Sequence, residues 1–230
     1  MTNRDELGLV EASLRTPRAA AVSGIVFSAL LIVTLTLVTI SAPARVAATG
    51  GWLTDTHKRE ALKVALGLVP FAGIAFLWFI GVVRDRVGAL EDRFFATVFL
   101  GSGLLFVAVL FVAAALGSAT IANLEAHAGS AGTAAAVAQS RQLSFILIHS
   151  YALRMAGVFT MSTATILHRT RVAPRWVAVV GFVVALVLIL AVGLSPWLEL
   201  LFPAWIGLLS LEILRRTLAA APASPAASAP

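Results

Sequence analysis

The chain has 230 residues, of which 60% are hydrophobic and only 12% are charged, with a formal net charge of +6 and no cysteine. Soluble domains carry about 25% charged residues, so this composition excludes an ordinary water-soluble globular protein. The lack of cysteine excludes disulfides, thiolate nucleophiles and cysteine metal sites. The basic residues cluster beside apolar runs, where lipid headgroups explain them better than a nucleic acid does, and no nucleic-acid partner is predicted.

Six apolar runs follow one another along the chain, and each approaches the roughly 20 residues that a helix needs to cross a bilayer. They comprise residues 19–40, 64–83, 94–115, 143–167, 176–192 and 197–214. In hydrocarbon the backbone must pair its polar groups internally, and these runs lack the alternating polarity of barrel strands. The sequence therefore predicts an all-α polytopic bundle of six transmembrane helices, residues 19–216, in the cell membrane, specifically a bacterial inner membrane.

The charge distribution predicts the orientation of this bundle. With residues 1–18 as a cytoplasmic segment, 11 of the 17 Lys and Arg residues lie inside and five outside, while Arg154 lies within a run. Positively charged loops are retained in the cytoplasm, so both termini are predicted there. The first run is followed by Ala-Pro-Ala at 42–44, which resembles a signal-cleavage site. A signal core has only about 7 to 15 apolar residues, however, so the run is predicted to remain as an anchor.

Prolines and short connections shape the rest of the predicted bundle. Pro70 in the second run and Pro203 in the sixth each remove a backbone donor, which predicts bends at these positions. The link between the fifth and sixth runs is short, so these two spans are predicted to be antiparallel neighbours. The Ala/Pro/Ser tail, residues 217–230, lacks charge and apolar periodicity and is predicted to be disordered.

Arg154, in the middle of the fourth run, is the strongest candidate for a functional residue. A guanidinium at the bilayer centre costs about 2.5 to 3.5 kcal/mol on insertion scales. Because helical side chains lean toward the helix N-terminus, Arg154 should reach outward, toward His149, Ser150 and Tyr151, with Glu199 as its expected acidic partner. We expect these five residues to form a polar pocket for a lipid-like or anionic ligand. The alternative is that Arg154 only locks the bundle through carbonyl and hydroxyl groups.

Three histidines lie toward the predicted outer side, namely His57, His127 and His149. None of them forms a short-range pair such as i, i+4, the spacing that places two ligands on one helix face. We therefore predict no metal site and no cofactor.

The segment between the second and third runs carries Gly81, Asp85, Arg86 and Gly88. It resembles the cytoplasmic turn after the second helix of major-facilitator transporters, although Ala-Leu at 89–90 replaces that motif's basic pair. In that family the charges of the turn latch helices during alternating access, and the resemblance implies this role for Asp85 and Arg86. The alternative is a cytoplasmic hairpin that pairs its own charges.

The chain as a whole resembles the small, alanine-rich bacterial multi-pass membrane proteins that carry no assigned activity, which implies no catalytic residues. No catalytic signature is present, so we favour a non-enzymatic protein that acts through a membrane-protein partner, a second copy of itself or a ligand near Arg154. One alternative is a small transporter or a homodimer of six-helix half-transporters. Another is an intramembrane enzyme or haem electron carrier that uses His149, Tyr151, Arg154 and Glu199.

Overall fold

The computed structural model describes residues 3–41, 55–87, 93–126, 131–170, 173–190 and 195–219. Within these ranges the chain is helical almost throughout and contains no strand, which confirms the all-α prediction. The helices, in chain order, are α1 (Asn3–Ser41), α2 (Thr56–Val87), α3 (Arg93–Ala126), α4 (Ala131–Ile146), a π-helical segment (Leu147–Ala152), α5 (Leu153–Thr170), α6 (Arg175–Leu190), a 3-10 segment (Pro196–Leu200) and α7 (Leu201–Ala219).

Within the described ranges, five helical stretches are long and apolar enough to cross a membrane. They are Arg18–Ser41, Thr56–Arg84, Ala96–Ala126, Ala135–Thr170 and Trp197–Ala219. They correspond to the first four predicted spans and the sixth. The predicted fifth span corresponds to α6, which is apolar but has 16 described residues, about 24 Å at 1.5 Å per residue. Residues 191–194, where this run was predicted to end, lie outside the described ranges.

The fourth predicted span is part of a much longer helical rod. The α4 helix, the π segment and α5 follow one another without interruption, and the apolar stretch has 36 residues. Such a rod is about 54 Å long, whereas the hydrocarbon core of a bilayer is about 30 Å thick. A rod of this length cannot lie wholly within hydrocarbon unless it is strongly tilted.

The helices pack so that each buries one side against its neighbours. The α1 helix lies against α2 and α7, α5 lies against α6 and α3, and α3 also contacts α2 and α4. Large apolar side chains that remain exposed, such as Phe71, Trp78, Val183 and Leu190, cover the outer surface. This arrangement is expected when the surrounding solvent is lipid rather than water.

A cluster of phenylalanine rings fills the centre of the bundle. The fully buried ring of Phe76 lies 4.5 Å from Phe27, 5.4 Å from Phe106, 5.0 Å from Phe159 and 5.7 Å from Phe202, measured between ring centroids. These distances and the mostly tilted or edge-on geometries are those that aromatic pairs prefer. The cluster thereby joins α1, α2, α3, α5 and α7 into one core.

Candidate functional site

The site is built around the π segment, which carries three of the predicted residues, His149, Ser150 and Tyr151. In this segment the backbone hydrogen bonds skip one residue more than in an α-helix, so that the amide of Leu153 donates to the carbonyl of Ile148. Such segments are rare and occur frequently at functional sites. The apolar run alone gave no signal for it, because its composition is compatible with a regular helix.

His149 pairs with Glu199 across the bundle. The Nε2 atom of His149 lies 2.7 Å from Oε1 of Glu199, and the two side chains are only 14% and 8% exposed. On the other edge of the ring, Nδ1 lies 3.0 Å from the carbonyl oxygen of Phe145, and the Phe145 ring stacks on the imidazole. The pair therefore joins the π segment to the 3-10 segment before α7.

The 3-10 segment positions Glu199 for this contact. Ser195 precedes it in an extended conformation, and its hydroxyl accepts a hydrogen bond from the amide of Trp197. Pro196 then occupies the first turn, where its missing donor is not needed. This tight start exposes Trp197 and turns Glu199 into the bundle, where it is buried.

A small cavity lies beside Glu199. Its volume is about 20 Å³, which is enough for about one water molecule. The other residues that line it are apolar, namely Leu31, Leu35, Phe106, Leu110, Ile148, Ala152, Leu153 and Phe202. Glu199 is thus the one ionisable residue of this lining, and the surface of the cavity is formed by apolar atoms.

Arg154 points to the outer surface, away from this pair. Its side chain is exposed, and the guanidinium donates a hydrogen bond to the carbonyl of Ser150. Among the described residues, Arg154 and Glu199 do not form an ion pair. Glu199 pairs with His149 instead. His149 is mostly buried whereas Arg154 is exposed, and the carboxyl group that was expected to pair with Arg154 pairs with His149 instead.

The five predicted pocket residues therefore lie in two places. His149 and Glu199 form a buried pair, while Arg154 and Tyr151 are exposed, with Ser150 between them in sequence. The sequence identified the polar residues of the span but not the faces they occupy.

The residues of the transporter-like segment lie at the end of α2. Gly81 is exposed within the helix, and the backbone remains helical through Asp85 and Arg86 to Val87. The side chains of Asp85 and Arg86, and Gly88 as a whole, lie outside what is described, so their predicted contacts remain predictions.

Sequence reasoning missed a charged cluster where α2 begins and α3 ends. The Nζ atom of Lys63 lies 3.0 Å from Oε1 of Glu60 on its own helix and 2.7 Å from Oε1 of Glu125 on α3. All three side chains are well exposed, so this cluster contributes little stability. It does place the start of α2 and the end of α3 at the same end of the bundle.

Among the described residues, no three His, Asp or Glu side chains come together as a group that could hold a metal ion. His127, one of the three histidines considered above, lies outside them.

Comparisons with known proteins add no further assignment. The chain matches no protein-family model, no curated protein and no solved structure.

Proposed function

We propose that this chain is a non-enzymatic protein of the bacterial inner membrane that binds an anionic, lipid-like ligand at Arg154, near the outer edge of the bilayer. The observation that carries the proposal is the exposed guanidinium, which is directed outward by its hydrogen bond to the Ser150 carbonyl. The six spans and the cytoplasmic location of both termini belong to the same proposal.

An exposed arginine on an apolar span needs an anion from outside the helix. Its charge is expensive in hydrocarbon, and arginine reduces this cost by extending its head toward the interface. None of the ion pairs found among the described residues involves Arg154. A lipid phosphate would supply the missing charge and would accept two parallel hydrogen bonds from the guanidinium.

The length of the helical rod supports a position of the guanidinium near the outer edge of the bilayer. The Ser150 carbonyl precedes Arg169 by about 19 residues, or about 28 Å along a helix. The hydrocarbon core is about 30 Å thick. If Arg169 marks the inner edge, the head of Arg154 lies close to the outer edge, among the headgroups.

The surface around Arg154 suits a lipid better than a small soluble anion. Tyr151 is exposed one turn earlier and offers a second hydroxyl donor. Toward the inner side, half-exposed Val158 and Met161 follow on the same face at i+4 and i+7. A ligand bound by its phosphate at Arg154 could thus lay an acyl chain along apolar side chains.

The test compares lipid retention by native mass spectrometry. Wild-type protein, Arg154→Met and the control Arg84→Met, an exposed arginine at the far end of α2, are each titrated with phosphatidylglycerol and with zwitterionic phosphatidylcholine. We expect Arg154→Met to lose about tenfold in affinity for phosphatidylglycerol, or about 1.4 kcal/mol, and Arg84→Met to retain it. Equal retention by Arg154→Met would reject the proposal. Unfolding of Arg154→Met in mild detergent would instead favour the alternative, in which Arg154 only stabilises the bundle through carbonyl and hydroxyl groups.

A small transporter is the second candidate, favoured by the His149–Glu199 pair beside a cavity inside a span. Ionisable residues within membrane spans commonly mark substrate or proton pathways. The resemblance of residues 81–88 to the major-facilitator turn belongs with this candidate. Reconstituted protein should then move a solute across proteoliposomes, and Glu199→Gln should abolish that movement.

A further inference from the structure

We infer that His149 and Glu199 form a proton-binding site inside the bundle, which holds one proton between Nε2 and Oε1. The inference goes beyond ligand binding at Arg154 and rests on different side chains. It follows from the hydrogen-bond partners of the imidazole ring.

The ring of His149 lies between two oxygen acceptors. The carbonyl of Phe145, 3.0 Å from Nδ1, can only accept a hydrogen bond, so Nδ1 must carry a hydrogen. Glu199 Oε1 lies 2.7 Å from Nε2. If that nitrogen and that oxygen were both unprotonated, two lone pairs would face each other at this distance. One proton must therefore lie between them, either as imidazolium and carboxylate or as imidazole and carboxylic acid.

Among the ion pairs of the described residues, no other charged side chain contacts His149 or Glu199. The cavity residues contributed by α1 and α3 are Leu31, Leu35, Phe106 and Leu110, and α7 contributes Phe202. On the rod itself, Arg154 is exposed on another face, and Arg141 is half-buried about two turns earlier. Within the described lining of the cavity, Glu199 is the ionisable side chain, so the proton is shared with His149 alone.

Loss of the proton would change the packing of the bundle. Transfer to a water molecule would leave anionic Glu199 and neutral His149, whose single ring hydrogen can be donated to the Phe145 carbonyl or to Glu199 but not to both. A buried carboxylate without a donor is strongly unfavourable. One of the two hydrogen bonds that hold the ring, to Phe145 or to Glu199, must then break. Proton binding would therefore allow His149 to keep both contacts at once.

The test is nitrogen NMR on protein with ¹⁵N-labelled histidine in lipid nanodiscs near neutral pH. The chain has 4 histidines, and His149→Gln identifies the His149 signals by their loss, while the other histidines serve as internal references. We expect the wild-type ring to have a protonated Nδ1 and an Nε2 that is either protonated or shifted by a strong hydrogen bond from an acid. An Nε2 with the shift of an ordinary free lone pair would overturn the inference.

Glu199→Gln provides the matched comparison, because its amide can donate to Nε2 while removing the ionisable oxygen. We expect this variant to contain one proton fewer, with a neutral imidazole protonated at Nδ1. A variant ring protonated at Nε2 and not at Nδ1 would overturn the inference, because the Phe145 carbonyl would then not determine which nitrogen carries the hydrogen. If Glu199→Gln does not fold, the wild-type spectrum alone tests whether a proton lies between Nε2 and Oε1. Arg154→Met should leave the His149 signals unchanged even if lipid binding is lost.

Discussion

Phe76 illustrates how individual side chains stabilise this bundle. Lipid tails are as apolar as the side chains, so transfer from solvent supplies little of the drive for helix association, and close packing must supply more. Phe76 is fully buried and contacts rings from four other helices. Removing it leaves a cavity that neighbours on several rigid helices cannot all collapse to fill.

Phe76→Ala should therefore lower the free energy of unfolding by about 3 to 5 kcal/mol. Phe71→Ala is the matched control on the same helix, because that side chain is 63% exposed and should cost much less. Unfolding in mixed micelles of mild detergent and dodecyl sulfate measures both. A similar loss for the two variants would contradict a core centred on the phenylalanine cluster.

Glycine at position 181 illustrates the opposite constraint, a lack of space. A Cβ atom there would lie 2.6 Å from Cζ2 of Trp205 and 3.0 Å from the Cβ of Ala164. Trp205 is buried, and its indole N–H donates a hydrogen bond to the Val177 carbonyl at 3.1 Å. This hydrogen bond and the surrounding packing restrict movement of the ring. The contact between α6 and α7 depends on this glycine.

Gly181→Ala should destabilise the protein by about 1 to 3 kcal/mol through overpacking. Gly101→Ala is the control, since a Cβ there meets nothing within 4 Å and alanine favours a helix over glycine by about 0.5 to 1 kcal/mol. Opposite signs of the stability change in the same micelle assay are expected. A neutral result for Gly181→Ala would mean that Trp205 can move.

At the scale of elements, α1 and α7 approach closely through small residues. Gly24 on α1 faces Ser210 on α7, and one turn further Gly207 lies against Ser28. Such pairs allow helix backbones to approach each other in membranes. The Ser210 hydroxyl is buried and has no hydrogen-bond partner among the described residues. Small size, rather than hydrogen bonding, therefore explains the serine at this contact.

A double-mutant cycle tests this contact. Gly24→Ala should destabilise the protein, because its Cβ would collide with the Ser210 hydroxyl and come within 2.9 Å of the Phe79 ring. Ser210→Ala should be neutral or mildly stabilising, because it removes an unpaired buried hydroxyl. In the double variant part of the Gly24→Ala loss should be recovered, a coupling of about 0.5 kcal/mol or more. Strict additivity would argue against the contact.

At the scale of the whole molecule, α6 decides how many times the chain crosses the bilayer. Five stretches are long enough by themselves, and α6 is the short sixth. It packs against α5 and α7 while its other side is exposed, as expected of a crossing helix at the edge of the bundle. The topology of the last two helices depends on this one element.

Single cysteines decide the topology, because the native chain contains none and gives no background. With a membrane-impermeant maleimide on intact spheroplasts, we expect labelling at Glu60→Cys and Trp197→Cys. Cysteines in place of Arg84, Arg175 and Leu218, which are all exposed, should react only after permeabilisation. Labelling of positions 175 and 197 from the same side would mean that α6 does not cross.

The sequence by itself determined the solvent, the helical class and the approximate spans. These are local properties, since a run of about 20 apolar residues specifies a membrane helix wherever it lies in the chain. The same reasoning selected His149, Ser150, Tyr151, Arg154 and Glu199, because polar groups are costly in apolar spans. It did not identify their partners.

Only the tertiary structure decided that Glu199 pairs with His149, that the Arg154 side chain is exposed at the surface of the bundle and that Lys63 pairs with Glu125. Each of these contacts depends on the rotation and register of one helix against another. Rotation and register are set by the packing of many distant side chains, here the phenylalanine cluster and the close glycine contacts, and no single stretch of sequence contains that information.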